Sequence, residues 1–148
     1  MYKHILLPTD GSKLSMKAIK QGVQLAKSLR AKVTAINVMP EYEMVMDETF
    51  VTPDIGSFQQ QFDAESKKRA KKILERVKTE AAAAKVACEG VAVVSRAPYD
   101  AIIRQAKKSR CDLVVMASHG RKGLSSVLLG SETSKVLTHS KIPVLVVR

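Results

Sequence analysis

The segment that follows residues 112–118 combines residue types that are suited to binding an anion. It contains three glycines, Gly120, Gly123 and Gly130, and the hydroxyl of Ser131 comes directly after the last of them. Glycine lets the main chain approach a ligand closely, and free main-chain N–H groups at a helix start can donate to phosphate oxygens. Two explanations are open at this point: a loop that only turns the chain, and a loop that wraps a phosphate.

The apolar pattern of the chain predicts the elements that would position this segment. Short apolar runs predict strands at residues 3–8, 31–39, 90–95 (starting as early as Cys88), 112–118 and 142–148. Apolar residues three and four positions apart predict helices at residues 12–29 and 58–85. A further helix has Pro98 in its first turn, and Ser131 is expected to cap the last one. Residues 40–57 show no clean period and are predicted to form a long surface loop.

This order, βαβαβαβαβ, predicts a single α/β domain over residues 1–148. Strands that are separated by helices need crossover connections, so the sheet should be parallel with helices on both faces. The nearly continuous apolar strands agree, because a sheet that is covered on both faces does not alternate between apolar and polar residues.

In an open parallel sheet, ligands bind beyond the carboxyl ends of the strands, where the strand order reverses. Polar segments follow the first and the fourth predicted strand, and neighbouring strands would bring them together across one crevice. The crevice would then hold Asp10, Ser118, His119, Gly120, Gly130 and Ser131. Because a helix start favours an anion, a phosphate is predicted at Gly130 and Ser131.

Two common phosphate motifs are excluded. The P-loop requires a lysine directly after its second glycine, but Ser131 follows Gly130. The dinucleotide fingerprint requires three spaced glycines after the first strand, where Gly11 stands alone.

From end to end, the chain resembles the universal stress protein family. The likeness lies in the segments "HILLPTDGS", "INVM", "DLVVMASHGRKGLSSVLLGS" and "HSKIPVLVVR". The ATP-binding branch of that family carries the motif G-x2-G-x9-G-[ST]. In this chain Gly120 matches the second glycine, residues 121–129 are the nine spacers, and Gly130 and Ser131 close the motif, but Ala117 stands in place of the first glycine.

The resemblance implies a doubly wound sheet of order 3-2-1-4-5 that binds ATP, ADP or AMP, with Mg²⁺ left open, in a regulatory stress-response protein. It implies that Pro8, Thr9 and Asp10 line the ribose and phosphates, that main-chain groups of Val38 meet the adenine, and that Met116 packs near the base. Ser131 and Thr133 would hold phosphate oxygens, and Ala117, Ser118, His119, Gly120, Gly130 and Glu132 complete the candidate set. The Ala117 methyl would crowd the ligand and weaken ATP binding or favour ADP or AMP. The resemblance also implies a homodimer joined through residues 144–147.

Two other functions remain open. One is a slow ATPase or nucleotide hydrolase in which Asp10 would hold Mg²⁺ and His119 would transfer a proton, although no residue is assigned as catalytic. The other is a binder of nucleic acid or of an acidic partner, because 25 Lys and Arg against 14 Asp and Glu give a net charge of +11. The basic run at residues 67–72 is interpreted as a solvated helix face, and nucleic acid is not expected, since the chain has no Trp and few aromatic residues.

The remaining composition predicts the setting of the protein. Cys88 and Cys111 do not form a C-x-x-C pair, and two buried free thiols favour a reducing compartment. The chain has no apolar stretch long enough to cross a membrane and no signal peptide pattern, so a cytoplasmic location is predicted. The three histidines are scattered without ligand spacing, so no metal site is predicted.

Overall fold

The computed structural model describes residues 1–43, 55–121 and 129–148. Within these residues, the strands are β1 (His4–Pro8), β2 (Lys32–Met39), β3 (Cys88–Val94), β4 (Leu113–Ala117) and β5 (Val144–Val147). The helices are α1 (Lys13–Leu29), α2 (Ile55–Ala83), α3 (Pro98–Lys108) and α4 (Ser131–His139). The predicted alternation of strands and helices is confirmed.

All strands of this sheet are parallel, in the order β3-β2-β1-β4-β5. The central strand β1 pairs with β2 on one side and with β4 on the other, where Ile5 lies opposite Leu113. The chain first builds the sheet outward from β1 to β3 and then returns to β4 and β5. The strand order therefore reverses between β1 and β4, which is the place where open α/β sheets bind ligands.

Two apolar clusters cover the two faces of the sheet. Alternate residues of β1 divide between them: Ile5 and Leu7 pack with α1 and α2, whereas Leu6 packs with α3 and α4. All three side chains are fully buried, and burying a side chain of this size contributes about 1.5–3 kcal/mol. This packing on both faces fixes the ends of β1 and β4.

The boundary between the predicted loop and the second helix was wrong. Helix α2 begins at Ile55 rather than Phe58, so the end of the predicted 40–57 loop is helical, and residues 44–54 of that loop lie outside the described residues. Gly56 is the second residue of α2, and a glycine costs a helix only about 0.5–1 kcal/mol relative to alanine. Reading Gly56 as a loop residue shortened the predicted helix.

Candidate functional site

The loops that leave β1 and β4 are in direct contact. Oδ2 of Asp10, after β1, accepts a hydrogen bond of 2.9 Å from the main-chain N–H of Arg121, after β4. The Arg121 Nε atom lies 4.0 Å from the same oxygen. The expected convergence of the two polar segments is therefore present, and it is held by a carboxylate that bridges the reversal point of the sheet.

The carboxylate of Asp10 also organises its own loop. Its Oδ1 accepts from the Ser12 main-chain N–H at 2.9 Å, and the Ser12 side chain caps α1 by accepting from Ser15 N. Partial burial by itself would raise the pKa of Asp10, but hydrogen bonds from Ser12, Arg121 and Ser15 outweigh that effect, so the pKa lies below its ordinary value. Asp10 is thus an anion, and each of its oxygens accepts one main-chain hydrogen bond.

Thr9 is buried, and its hydrogen bonds fix the conformation of the loop that follows β1. Its N–H donates to the Ile36 carbonyl, and its Oγ1 accepts from the Gly11 N–H at 3.1 Å. The amide of Asn37 donates to the Thr9 carbonyl at 2.9 Å, although Asn37 was absent from the predicted site. The signal for it was an amide within a strand that is predicted to be buried, because a buried polar side chain needs a hydrogen-bond partner.

The start of α4 is fastened to the end of β4. The Gly130 N–H donates to the Ser118 carbonyl at 2.7 Å, and the Thr133 hydroxyl donates to the Ala117 carbonyl at 2.9 Å. A Cβ atom on Gly130 would lie 3.0 Å from both Ser118 O and His119 Cα, which are main-chain atoms with little freedom to move. Glycine at this position allows the close approach, and the proton of the buried Thr133 hydroxyl is used within the protein.

The first turn of α4 has free donors. Gly130 is its N-cap and supplies no side-chain hydrogen bond. Among the described residues, the main-chain N–H groups of Ser131, Glu132 and Thr133 have no acceptor. Ser131 is exposed, so an anion could approach these donors from solvent at the positive end of the helix dipole.

Glu132 lies in the same turn, but its carboxylate is engaged elsewhere. Its Oε2 accepts from the Tyr99 N–H at the start of α3 at 2.8 Å, and its Oε1 lies 3.2 Å from Lys135 Nζ. In this arrangement Glu132 joins the starts of two helices and leaves its own N–H group available.

The apolar residues of the candidate set belong to opposite sides of the sheet. Met116 and the half-buried Val38 share the cluster beneath α3 and α4. Ala117 is 7% exposed and its methyl lies in the cluster beneath α1 and α2. Crowding of a ligand by the Ala117 methyl stays a prediction, and the packing of that methyl within the core argues against it. Pro8, the last residue of β1, is buried.

His119 has no carboxylate partner among the described residues. Its Nδ1 lies 3.2 Å from Ser118 Oγ, a contact within the loop itself. In the described part of the chain, no group of three or more His, Cys, Asp or Glu side chains could hold a metal ion. Residues 122–128, which include Lys122 and most of the nine motif spacers, lie outside the described residues.

Comparison with known proteins identifies the family. The model of the universal stress protein family matches residues 1–148. Universal stress protein MJ0531 of Methanocaldococcus jannaschii is 34% identical, over all of this chain and 83% of that protein. Universal stress protein YxiE of Bacillus subtilis is also 34% identical, over the full length of both chains. The chain belongs to the universal stress protein family, as its sequence motifs indicated.

Solved structures agree with the fold. The structure of MJ0577, another Methanocaldococcus jannaschii protein, matches with a TM-score of 0.81 and 30% identity over 99% of this chain and 96% of that chain. A universal stress protein solved in complex with cAMP matches with a TM-score of 0.70, 24% identity and coverage of 99% and 97%. One from Archaeoglobus fulgidus in complex with dAMP matches with a TM-score of 0.71, 16% identity and coverage of 99% and 98%.

Among the described residues, none of the helices has both the length and the apolar character that crossing a membrane requires.

Proposed function

We propose that this protein binds an adenine nucleotide, ATP, ADP or AMP, at the reversal point of its sheet and acts as a regulator rather than as an enzyme. The observation that carries the proposal is the first turn of α4, whose N–H groups have no acceptor in the described part of the chain and whose N-cap, Gly130, is hydrogen-bonded to Ser118 after β4. Structures of proteins with this fold in complex with cAMP and with dAMP support the choice of an adenine nucleotide.

In the proposed complex the phosphates lie against the N–H groups of residues 131–133 and the Ser131 hydroxyl. An anionic ligand gains the most binding free energy there, because the helix dipole and the unpaired donors act together. The ribose and phosphates pass along Pro8, Thr9 and Asp10, and the base lies on the side of the sheet that carries Val38 and Met116. Each oxygen of Asp10 accepts one main-chain hydrogen bond and keeps a further lone pair, so Asp10 could also meet a Mg²⁺ ion bound with the nucleotide.

The test exploits a substitution with opposite effects on folding and on binding. Ser131→Asp adds a negative charge to the first turn of α4, where the helix dipole favours it, so the melting temperature should stay the same or rise. The same charge would repel a phosphate, so AMP and ATP binding should fall by at least about tenfold, which corresponds to roughly 1.4 kcal/mol.

Isothermal titration calorimetry with ATP, ADP and AMP measures the affinities, with Ser131→Ala as the matched variant that lacks the added charge. Adenosine, which has no phosphate, should bind wild type and Ser131→Asp equally. An absence of binding by wild type at millimolar nucleotide, or equal AMP affinity in Ser131→Asp and Ser131→Ala, would contradict the proposal.

The homodimer implied by the resemblance is part of the same proposal. Strand β5 lies at an edge of the sheet, and its Leu145 side chain is 45% exposed. An apolar edge strand has unpaired main-chain groups that favour pairing with a second chain. A dimer joined through Val144–Val147 would cover both the apolar side chains and the open edge.

The cytoplasmic location stays a prediction, with Cys88 and Cys111 both free.

A further inference from the structure

A broad basic groove lies on the outer face of the molecule, between α1 and α2. Its volume is about 1030 Å³. Helix α1 contributes Lys13, Lys17 and Lys20 to its lining. Helix α2 contributes Lys68, Lys71, Lys72 and Arg76, and the lining also includes Glu75 and Glu80. Seven cationic side chains therefore surround one groove, a much stronger concentration than the run at residues 67–72 alone indicated.

The cations of this groove are poorly neutralised by the protein. Within the described residues, no carboxylate lies within ion-pair distance of any of the seven, and Glu75 pairs with Lys78 outside the groove. Lys17 is engaged, since it donates to the main-chain oxygen of Arg148 at 2.7 Å, and the other six cations carry the excess of charge. The groove thus has an excess of positive charge that is open to an anionic ligand.

The spacing of the cations lowers the stability of the folded state. Lys13 and Lys17, and likewise Lys68 and Lys72, stand four residues apart on one helix, where like charges repel. Lys13 also lies in the first turn of α1, which has no acidic residue, so its charge opposes the helix dipole. A bound polyanion would relieve both effects.

We propose that this groove binds a linear inorganic polyphosphate. Two rows of cations on neighbouring helices match a flexible chain with a negative charge on every unit. Among the residues that the structure describes, the lining contains no aromatic side chain on which a base could stack. Six of its seven cations are lysines, which act as point charges, whereas arginine would also stack on bases and pair bidentately with their edges. These features favour a phosphate chain without bases over nucleic acid.

The groove is separate from the candidate nucleotide site. It lies on the face covered by α1 and α2, whereas the free N–H groups belong to α4 on the opposite face. Substitutions in the groove can therefore be made without touching the residues proposed to hold a nucleotide.

The experiment compares two variants that lose the same charge. The groove variant is Lys13→Gln/Lys20→Gln/Lys68→Gln/Lys71→Gln, and the control variant is Lys67→Gln/Arg69→Gln/Lys107→Gln/Lys141→Gln. All eight side chains are exposed and none of the control residues lines the groove. Both variants should fold, and circular dichroism with thermal melting checks this.

Binding is measured by fluorescence anisotropy with end-labelled polyphosphate of defined length at several salt concentrations. The wild type should bind, and polyphosphate should raise its melting temperature. The groove variant should bind at least about tenfold more weakly and lose about 0.7 from its log–log salt slope per lost phosphate contact. The control variant should stay within about threefold of wild type, because its charges lie outside the groove.

Polyuridylate with the same number of phosphates serves as the nucleic-acid competitor. It should displace polyphosphate poorly. Lack of polyphosphate binding by wild type, or equal losses in the groove and control variants, would overturn the proposal. Polyuridylate binding as tightly as polyphosphate would overturn it in favour of nucleic acid.

Discussion

Asp10 and Gly120 are packed so closely that no side chain fits between them. A Cβ atom placed on Gly120 would lie 2.5 Å from Asp10 Oδ2, far inside van der Waals contact. The carboxylate reaches past this bare Cα to the Arg121 N–H and so ties the β1 loop to the β4 loop. The packing of Asp10 against position 120 therefore explains why the second glycine of the motif is needed, independently of any ligand.

This relationship predicts that Gly120→Ala destabilises the protein through Asp10. The new methyl would push the carboxylate away and break its hydrogen bond to Arg121, at a cost of roughly 1 kcal/mol, since hydrogen bonds to charged groups are worth about 1.5–3 kcal/mol when well buried. Urea denaturation measures the free energy of unfolding. Gly56→Ala is the control, because a Cβ there contacts nothing within 4 Å.

A double-mutant cycle identifies the cause. In an Asp10→Ala background the carboxylate is absent, so Gly120→Ala should cost much less than in wild type. An equal cost in both backgrounds would show that the methyl clashes with something other than Asp10.

The buried His4 predicts a loss of stability below neutral pH. Burial, followed by the charge of Lys32, lowers the pKa of His4 below its ordinary value of 6.5, and its Nε2 forms a 2.8 Å hydrogen bond with Thr34 Oγ1. Between the lowered pKa and 6.5 the unfolded chain binds a proton that the folded chain does not, so the free energy of unfolding falls as the pH falls through this window. Above it, the contribution of His4 is complete.

Urea denaturation between about pH 7.5 and pH 5 measures this effect. The His4→Gln variant keeps a polar group near Thr34 but cannot titrate, so its stability should depend less on pH than that of wild type. Asp10 and Asp112 do not interfere, because their pKa values lie below the ordinary 3.8 and their contributions are lost only at lower pH. Identical pH slopes for the two proteins would contradict the role given to His4.

The fold was predictable because its signals are local and repeated. Each strand is a short apolar run and most helices carry a clear apolar stripe, so element type and order followed from the sequence. Boundaries depend on single contacts and were less certain. Ser131 was expected to cap α4, whereas Gly130 is the cap and Ser131 the first helical residue.

The contacts within the site were less predictable than its location. The crevice at the ends of the parallel strands follows from topology alone. The partners of Thr133 and Glu132 are main-chain groups, and only the folded structure shows that they come into contact. The role of Asn37 was missed for the same reason, since its partner, the Thr9 carbonyl, is distant in sequence.

The substitution Ala117→Gly tests whether the Ala117 methyl crowds the ligand or packs in the core. Its methyl lies in the cluster beneath α1 and α2, so Ala117→Gly should cost about 1–2 kcal/mol of stability, through lost burial and added main-chain freedom. The ratio of AMP to ATP affinity, measured by calorimetry, should change by less than about twofold. A selective gain in ATP affinity would show instead that the methyl crowds the phosphates, as the motif alone predicted.

The edge strands offer a matched test of the proposed dimer. Leu145 on β5 and Val94 on β3 are exposed apolar residues at opposite edges of the same sheet, 45% and 58% exposed. Sedimentation velocity should give a dimer for wild type and for Val94→Lys but a monomer for Leu145→Lys, because a charge on the β5 edge opposes strand pairing and apolar contact with a second copy. A monomeric wild type would contradict the dimer, and dissociation by Val94→Lys instead of Leu145→Lys would move the interface to β3. Because both substitutions add one lysine at an exposed edge, a difference between them reports the position of the interface and not the added charge.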